Sequence, residues 1–496
     1  MKYMMSDEII TSVAVVGAGP AGLVAAATLA HYGIDVVLLE KRSQGSDLPR
    51  ASVASVRTME LMRSFGLAER VLAGADDVAF TLLRMRTAAK AADGAEVEVG
   101  YPSVGEAAMI SPTRAASVAQ DHLERVLSEH VEALPGAAVL RGVEVTQVLH
   151  DGRTGDGVRL LGRMAGRDLR IRAEYAIAAD GAWSRVRRSL GVEMLGPQEL
   201  FRLVQAEVRA PLWEVLGPHR HLVYTVTHPK AEGVLVPAGL GDRWIYIVVL
   251  DAEEPEPDAA EMAERLRIAA GVDDLPIQVQ RLNRANPGAQ VASRFSSGHV
   301  YLTGDAAHRV TPRGGTGLNT AVGSAHNLAW KLAWVSRGWS DATLLRSYES
   351  ERRPVAEHNV RRSADAGRAP AAVLGETLID LGGRMRHVWL TSTPSPHSTL
   401  DELGPGLSIF IGYQGGDWVG AVRRWHERHR LPLRPVHLNP SDTISLGLAP
   451  SGALLVGPDG GPIAQWTEVG AADFEAAMPW ATQRTQVDAH PLARTA

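Results

Sequence analysis

The sequence predicts an α/β chain of three units, and three observations carry that reading. Residues 13–40 run as apolar strand, glycine turn, alanine-rich helix and second apolar strand. Residues 203–250 read strand after strand, separated only by Pro, Gly and Asp, as in one separate antiparallel sheet. Beyond a Pro/Ser/His loop at 391–398, roughly the last hundred residues form a small third unit. At 496 residues the chain exceeds a single core and suits about three domains.

In the first segment Gly17 permits a tight turn, Gly19 leaves room for a pyrophosphate, and Gly22 lets the helix lie close to the sheet. From Pro20 and Ala21 the helix presents unpaired N–H groups and a partial positive charge to phosphates. The second strand ends in Glu40, where a carboxylate can accept from both hydroxyls of a ribose, with Lys41 beside it. Strand, helix, second strand and acid in register imply a bound dinucleotide. The motif by itself does not separate FAD from NAD.

Composition narrows the chemistry. Cysteine is absent, which excludes disulfides, thiolate catalysis, Cys-ligated zinc and Fe–S clusters, so redox work requires a borrowed cofactor. The formal net charge of -5 offers no basic field for nucleic acid or an anionic membrane. Polar first residues and the lack of a long apolar run make a cytoplasmic enzyme the expectation.

Further along, residues 55–65 carry Val56, Met59, Met62 and Phe65 at near-helical spacing and close at Gly66. A second helix is expected over about 116–127, carrying Gln120, and residues 138–171 alternate as hairpins with a turn at Asp151 and Gly152. A strand at 175–179 runs into Asp180 and Gly181, and a helix is expected over 258–270. A strand at 299–303 precedes Gly304 and Asp305. After Gly317 a long helix carries Leu318, Val322, Ala325, Leu328, Ala329 and Leu332 on one face.

The glycine turn, Asp180-Gly181 with Ser184 and Arg187, and the run from Gly304 to Asn319 resemble, in order and spacing, the three fingerprints of the single-component flavoprotein aromatic hydroxylases, the family of para-hydroxybenzoate hydroxylase. The layout is most similar to the members that tailor aromatic polyketides. The resemblance implies a discontinuous FAD-binding Rossmann-like domain of the glutathione reductase and hydroxylase type at 1–75, 105–190 and 285–370. It also implies an antiparallel-sheet substrate domain at 76–104 and 191–284, and a thioredoxin-like domain at 380–496 that, without cysteine, serves packing or a homodimer. The implied cofactors are tightly bound FAD and a transient NADPH or NADH, since no second nucleotide motif occurs. The implied partners are a small aromatic substrate and O₂.

By the same resemblance Arg50 lies near the FAD phosphates, Gln120 beside the diphosphate and ribityl chain, and Asp180 at the pyrophosphate. Asp305 would hold a ribityl hydroxyl while Gly304 keeps the backbone clear. Gly314, Gly315 and Gly317 would make a loop of little bulk for a planar ring. The N–H groups of Leu318 and Asn319 would then face the edge where a reduced flavin carries negative charge.

The implied cycle is reduction of FAD licensed by bound substrate, addition of O₂ at flavin C4a, and transfer of one oxygen from the hydroperoxide to the ring. Pro312 can aim its carbonyl at the peroxide proton because its φ is fixed. Arg313 would pair with a phenolate or carboxylate of the substrate or with the reductant; a solvated loop arginine is the other reading. Thr311 stands where the family usually has a second proline, and Ser324 where an acid is common. No general base is evident. Baeyer–Villiger insertion, decarboxylative oxidation, a simple oxidase and an FAD carrier without turnover stay open. The histidines give no metal signal, although His219 with His221, and His426 with His429, are expected to share faces.

Overall fold

The computed structural model describes residues 8–50, 52–149, 157–365, 373–391 and 395–469. The chain opens with β1 (Glu8–Val16), α1 (Pro20–His31), β2 (Val36–Glu40) and α2 (Val56–Ser64), then β3 (Ala79–Met85) and β4 (Ala95–Glu98). Next come α3 (Gln120–Ala133), β5 (Ala137–Arg141), β6 (Val143–Leu149), β7 (Val158–Met164) and β8 (Arg167–Ala178). The middle holds β9 (Arg202–Arg209), β10 (His221–Val226), β11 (Gly233–Pro237), β12 (Arg243–Leu250), α4 (Ala259–Ala270) and β13 (Gln278–Ala285). Then follow β14 (Val300–Leu302), α5 (Gly317–Ser336), α6 (Arg346–Ala364) and α7 (Val373–Leu381). The last elements are β15 (Leu407–Ile411), α8 (Trp418–Arg428), β16 (Leu433–His437), β17 (Ala453–Val456) and β18 (Pro462–Trp466).

Five strands run parallel in the order β14, β8, β1, β2, β5, and β7 and β6 extend antiparallel from β8. β2 and the second half of β1, from Val13, are apolar without alternation because helices cover the sheet there, whereas Glu8 to Thr11 alternate exposed and buried; Val13, Ala14, Val15, Val37 and Leu38 are fully buried. α1 is buried from Ala21 to Ala30 and so has almost no polar face. The carboxyl ends of β1, β2, β8 and β14 share one edge, the place where open α/β sheets bind ligands.

The second sheet has the order β13, β9, β12, β11, β10, β3, β4. The four strands expected in 203–250 are all present, but the sheet is not wholly antiparallel: β10 pairs parallel with β3, Tyr224 opposite Leu83. β3 arrives from far upstream, and no local turn forces the two strands into opposite directions. A four-stranded sheet in the order β16, β15, β17, β18 forms the last unit. It packs on α5, where Trp330 and Trp334 meet Trp418 and Trp425.

Other expectations change. Ala116–Val118 is a short strand and the helix starts at Gln120, because Ala116 and Ser117 pair with Val53–Ala54, and Ser117 and Val118 with Ala75–Asp76, in a three-stranded ladder. Residues 138–171 are not successive hairpins: β5 joins β2 in parallel, and only β6, β7 and β8 form a meander. The turn expected at Asp151 and Gly152 lies outside the described residues. Within the expected 391–398 loop, His397–Ser398 pairs with Trp389–Leu390. Among the described residues no helix is long and apolar enough to cross a membrane.

Candidate functional site

Four loops meet outside the carboxyl ends of the parallel strands. Gly17 has φ +104°, and a Cβ there would stand 2.4 Å from the carbonyl oxygen of Ala179. A Cβ on Gly22 would stand 1.8 Å from the Gly17 oxygen, so only glycine lets α1 begin this close to β1. Gly19 faces open space and, lacking a side chain, leaves α1 without a side-chain cap. Pro20 starts the helix, and the N–H groups of Ala21 and Gly22 have no intrahelical partner. Opposite them, Glu40 accepts the Ala18 N–H at 2.8 Å through Oε2 and the Arg42 N–H at 2.9 Å through Oε1. A carboxylate keeps capacity for further donors. Lys41 is exposed beside it.

The second and third loops are tied to the first. Asp180 accepts from Ser184 Oγ at 2.5 Å and from the Val186 N–H at 3.2 Å. Arg187 donates to the carbonyls of Ala182 and Ala306, both at 3.3 Å, bracing the Asp180 turn against the Asp305 turn. At Gly304, φ is +60° and a Cβ would lie 2.9 Å from the methyl of Ala21, which brings that turn onto the start of α1. Asp305 is exposed to solvent in the turn after β14; desolvation by the protein packed around that turn raises its pKa, with Arg309 and Arg50 opposing. Gln120, the first residue of α3, donates to Glu124 at 2.6 Å. Burial raises Glu124 too, against Gln120, Arg50 and Arg42. Arg50 thus lies within electrostatic reach of both Asp305 and Glu124, and Glu40 and Gln120 act on the same Glu124. A cavity of about 800 Å³ opens beside Ala18, lined by Gly45, Asp121, Glu124, Arg125 and Arg243.

The fourth loop leads into α5. Thr311 is buried: its N–H donates to Ser363 Oγ at 3.2 Å and its hydroxyl to the Ser363 carbonyl at 2.7 Å. The exposed Pro312 accepts the Gly315 N–H at 3.3 Å with its carbonyl. Arg313 lies over the ring of Phe201, 4.2 Å from its centroid. Gly317 begins α5; Thr316 gives that helix no side-chain cap, and its Oγ1 is buried with no partner. The first bond at this end runs from the Thr320 N–H to the Thr316 carbonyl, leaving the N–H groups of Leu318 and Asn319 without helical acceptors.

Space at Gly19, an Asp305 carboxylate free of hydrogen bonds among the described residues, a partnerless Thr316 hydroxyl and two uncapped helix starts fit an extended dinucleotide with a flat ring system. Sequence reasoning missed Tyr101, whose hydroxyl donates to the Gly315 carbonyl at 3.0 Å, and Asp380, which accepts from Ser55 Oγ at 2.9 Å. Neither sits in a motif. The paired-histidine expectations fail as well: His219 precedes β10, and His429 lies past the end of α8, stacked on Trp425. No group of three or more metal-ligating side chains occurs among the described residues.

The model of the family described as FAD binding domain matches residues 10–363. A tetracenomycin B2 monooxygenase-dioxygenase of Streptomyces olivaceus is 32% identical, with 95% of this chain and 98% of the relative covered. An aklavinone 12-hydroxylase of Streptomyces purpurascens is 31% identical over 95% and 97%. Among solved structures, the ternary complex of aklavinone-11 hydroxylase with FAD and aklavinone superposes with a TM-score of 0.83 at 27% identity, covering 96% of this chain and 99% of that one.

Proposed function

Since the chain belongs to the FAD binding domain family and is an FAD-dependent monooxygenase, we propose that it hydroxylates a polycyclic aromatic substrate of polyketide type, using NADPH or NADH and O₂. The observation that carries this reading is the junction at 312–319, where two free N–H groups at the start of α5 stand behind a glycine loop at the same sheet edge as Asp305. In this reading Glu40 receives the adenosine ribose, the starts of α1 and the Asp180 turn hold the pyrophosphate with Arg50 and Gln120, and Asp305 holds a ribityl hydroxyl. Bound there, the flavin supplies two-electron reduction by a nicotinamide and activation of O₂, which no side chain of this cysteine-free chain can perform.

The chain's own residues place the reactants and keep water out. The N–H groups of Leu318 and Asn319 stabilise negative charge at the ring edge. Pro312 keeps one carbonyl lone pair beyond its bond to Gly315, available to a proton at the reacting edge. Arg313, its guanidinium over the Phe201 ring, offers N–H donors to a phenolate or carboxylate. Apolar side chains including Val53, Phe80 and Leu222 form a cluster beside Tyr101 and exclude water there. The reading includes an FAD-binding domain at 1–75, 105–190 and 285–370, a substrate domain at 76–104 and 191–284, and a thioredoxin-like unit at 380–496, supported by the mixed sheet of β15 to β18.

Purified protein is mixed anaerobically with NADPH and a panel of polycyclic phenols, then with ¹⁸O₂. Substrate-stimulated flavin bleaching and one labelled oxygen on an intact ring are expected. Ring-expanded or decarboxylated product, or no nicotinamide requirement, would overturn hydroxylation.

A further inference from the structure

A continuous run of hydrogen bonds links α7, at the entrance to the last unit, to the loop at 312–319. Asp380 on α7 accepts from Ser55 Oγ at 2.9 Å through Oδ1 and from the Arg57 N–H at 3.2 Å through Oδ2. Ser55 is the N-cap of α2, its Oγ accepting the Thr58 N–H at 3.3 Å, and its own N–H donates to Asn319 Oδ1 at 2.9 Å. That oxygen also accepts from Thr58 Oγ1 at 2.8 Å. Asn319 Nδ2 then donates to the carbonyls of Gly315 and Val53, both at 3.3 Å. The Gly315 carbonyl receives Tyr101 Oη as its second donor, at 3.0 Å. With donors on one side and acceptors on the other, the Asn319 amide has one satisfied orientation; a flip would set donor against donor.

Docking the last unit does not require this carboxylate. Arg384 already pairs with Glu60 at 2.5 Å, and Arg63 with Asp401 at 2.8 Å. Asp380 instead spends its charge on a hydroxyl and a backbone N–H, with no basic side chain at ion-pair distance among the described residues. We propose that Asp380 is a positioning residue for the flavin: by holding Ser55, and through it Asn319, it fixes the Gly315 carbonyl and the start of α5. The last unit thereby tunes how the cofactor is held. This rests on the reading of 314–319 as the place where the flavin ring lies.

Burial pushes Asp380 up to about 6, opposed by its bonds to Ser55 and Arg57, with the Glu60 charge adding. The charged and titratable groups facing it are Arg57 and Glu60 from α2, Arg352 from α6, and Tyr101. Below pH about 6 a protonated Asp380 no longer anchors the Ser55 hydroxyl as an acceptor pair, and the loop loosens.

The test compares wild type, Asp380→Asn, Asp380→Glu and Arg63→Ala, the last cutting a docking contact off the path. Amide hydrogen exchange of residues 312–320 is read in the apoprotein, and FAD affinity is read from quenching of flavin fluorescence between pH 5 and 8. Asp380→Asn is expected to speed exchange in the loop and to weaken FAD about tenfold at pH 8, the worth of one charged hydrogen bond. It is also expected to lose the wild-type drop in affinity toward pH 5. Asp380→Glu recovers part of the affinity, and Arg63→Ala behaves as wild type. Should Asp380→Asn not fold, Ser55→Ala carries the same comparison. Wild-type exchange and affinity in Asp380→Asn overturn the inference; a wild type that binds no FAD overturns the flavin reading instead.

Discussion

The guanidinium carbon of Arg313 lies 4.2 Å over the centroid of the Phe201 ring, and Arg313 has no carboxylate at ion-pair distance among the described residues. A guanidinium fork suits bidentate contact with an anion. Arg313→Ala is therefore expected to raise KM for phenolate- or carboxylate-bearing substrates by about 10- to 100-fold, the range of a charged hydrogen bond, while a neutral analogue and FAD affinity change little. Arg313→Lys should recover only part, as a point charge without the fork. Steady-state kinetics on an acidic and neutral substrate pair decide it, and equal KM values would return Arg313 to a solvated loop. Asp76 makes a different case. It is buried, with one long bond, from the Gly239 N–H at 3.3 Å, and burial pushes it up to about 6. The folded protein thus binds this proton more readily than the unfolded chain. The resulting stability is present in acid and is lost as pH rises from about 4 through about 6. Asp76→Asn is expected to stabilise the fold at pH 8 by about 1–3 kcal/mol and to give no gain at pH 4, as measured by urea unfolding at both values.

Loops here are held by the elements they cross. Thr311, just before Pro312, uses both its N–H and its hydroxyl on Ser363 at the end of α6. A proline has no N–H to give. Thr311→Pro should therefore lower stability by about 2–3 kcal/mol, and Thr311→Val by about 1–2, since it keeps the N–H bond but loses the hydroxyl's bond to the Ser363 carbonyl and the acceptor of the Arg313 N–H. Thermal unfolding of the two variants measures the difference, and equal melting temperatures would mean that Ser363 does not anchor the loop. What could be read in advance divides along the same line. The segment at 13–40, the helix capped by Asp258 and Gly271, and the long helix after Gly317 announce themselves because strand period, caps and apolar face lie within a few residues of each other. The parallel pairing of β3 with β10, and the capture of Ala116–Val118 as a strand, depend on partners far away in the chain. Within the site, Glu40 and Asp305 stand at strand ends that periodicity locates. Tyr101 and Asp380 reach the same loop only through tertiary contacts, 214 and 325 positions from their partners Gly315 and Ser55, and no local pattern encodes that.

Apolar clusters and buried charge are shared where the main sheets and their helices meet. Trp330 and Trp334 of α5 close the core of the last sheet, so the helix that begins at the proposed flavin edge ends inside another unit. At a second contact Glu60 on α2 lies between Arg57, at 2.9 Å, and Arg384, at 2.5 Å. Burial would raise its carboxyl, but the two guanidiniums hold it below the usual carboxylate range. Arg384 also donates to the carbonyls of Ile110 and Met385 at 2.6 and 2.7 Å, so its donors are well satisfied. Taking two such charges out of water is expensive, and a buried pair of this kind is worth far less than the cost of breaking it. Arg384→Ala leaves Glu60 with Arg57 alone and two carbonyls without their donor. It is expected to destabilise the folded chain by about 3–5 kcal/mol. Replacing both partners, Glu60→Leu with Arg384→Met, should return most of that loss, because no buried charge is then stranded. Denaturant unfolding followed by both tryptophan emission and flavin absorbance distinguishes the outcomes. A shared core makes the two signals move together, and Arg384→Ala should shift both midpoints by the same amount. A shift in tryptophan emission alone would mean that the last unit unfolds independently and that its contacts do not support the flavin site.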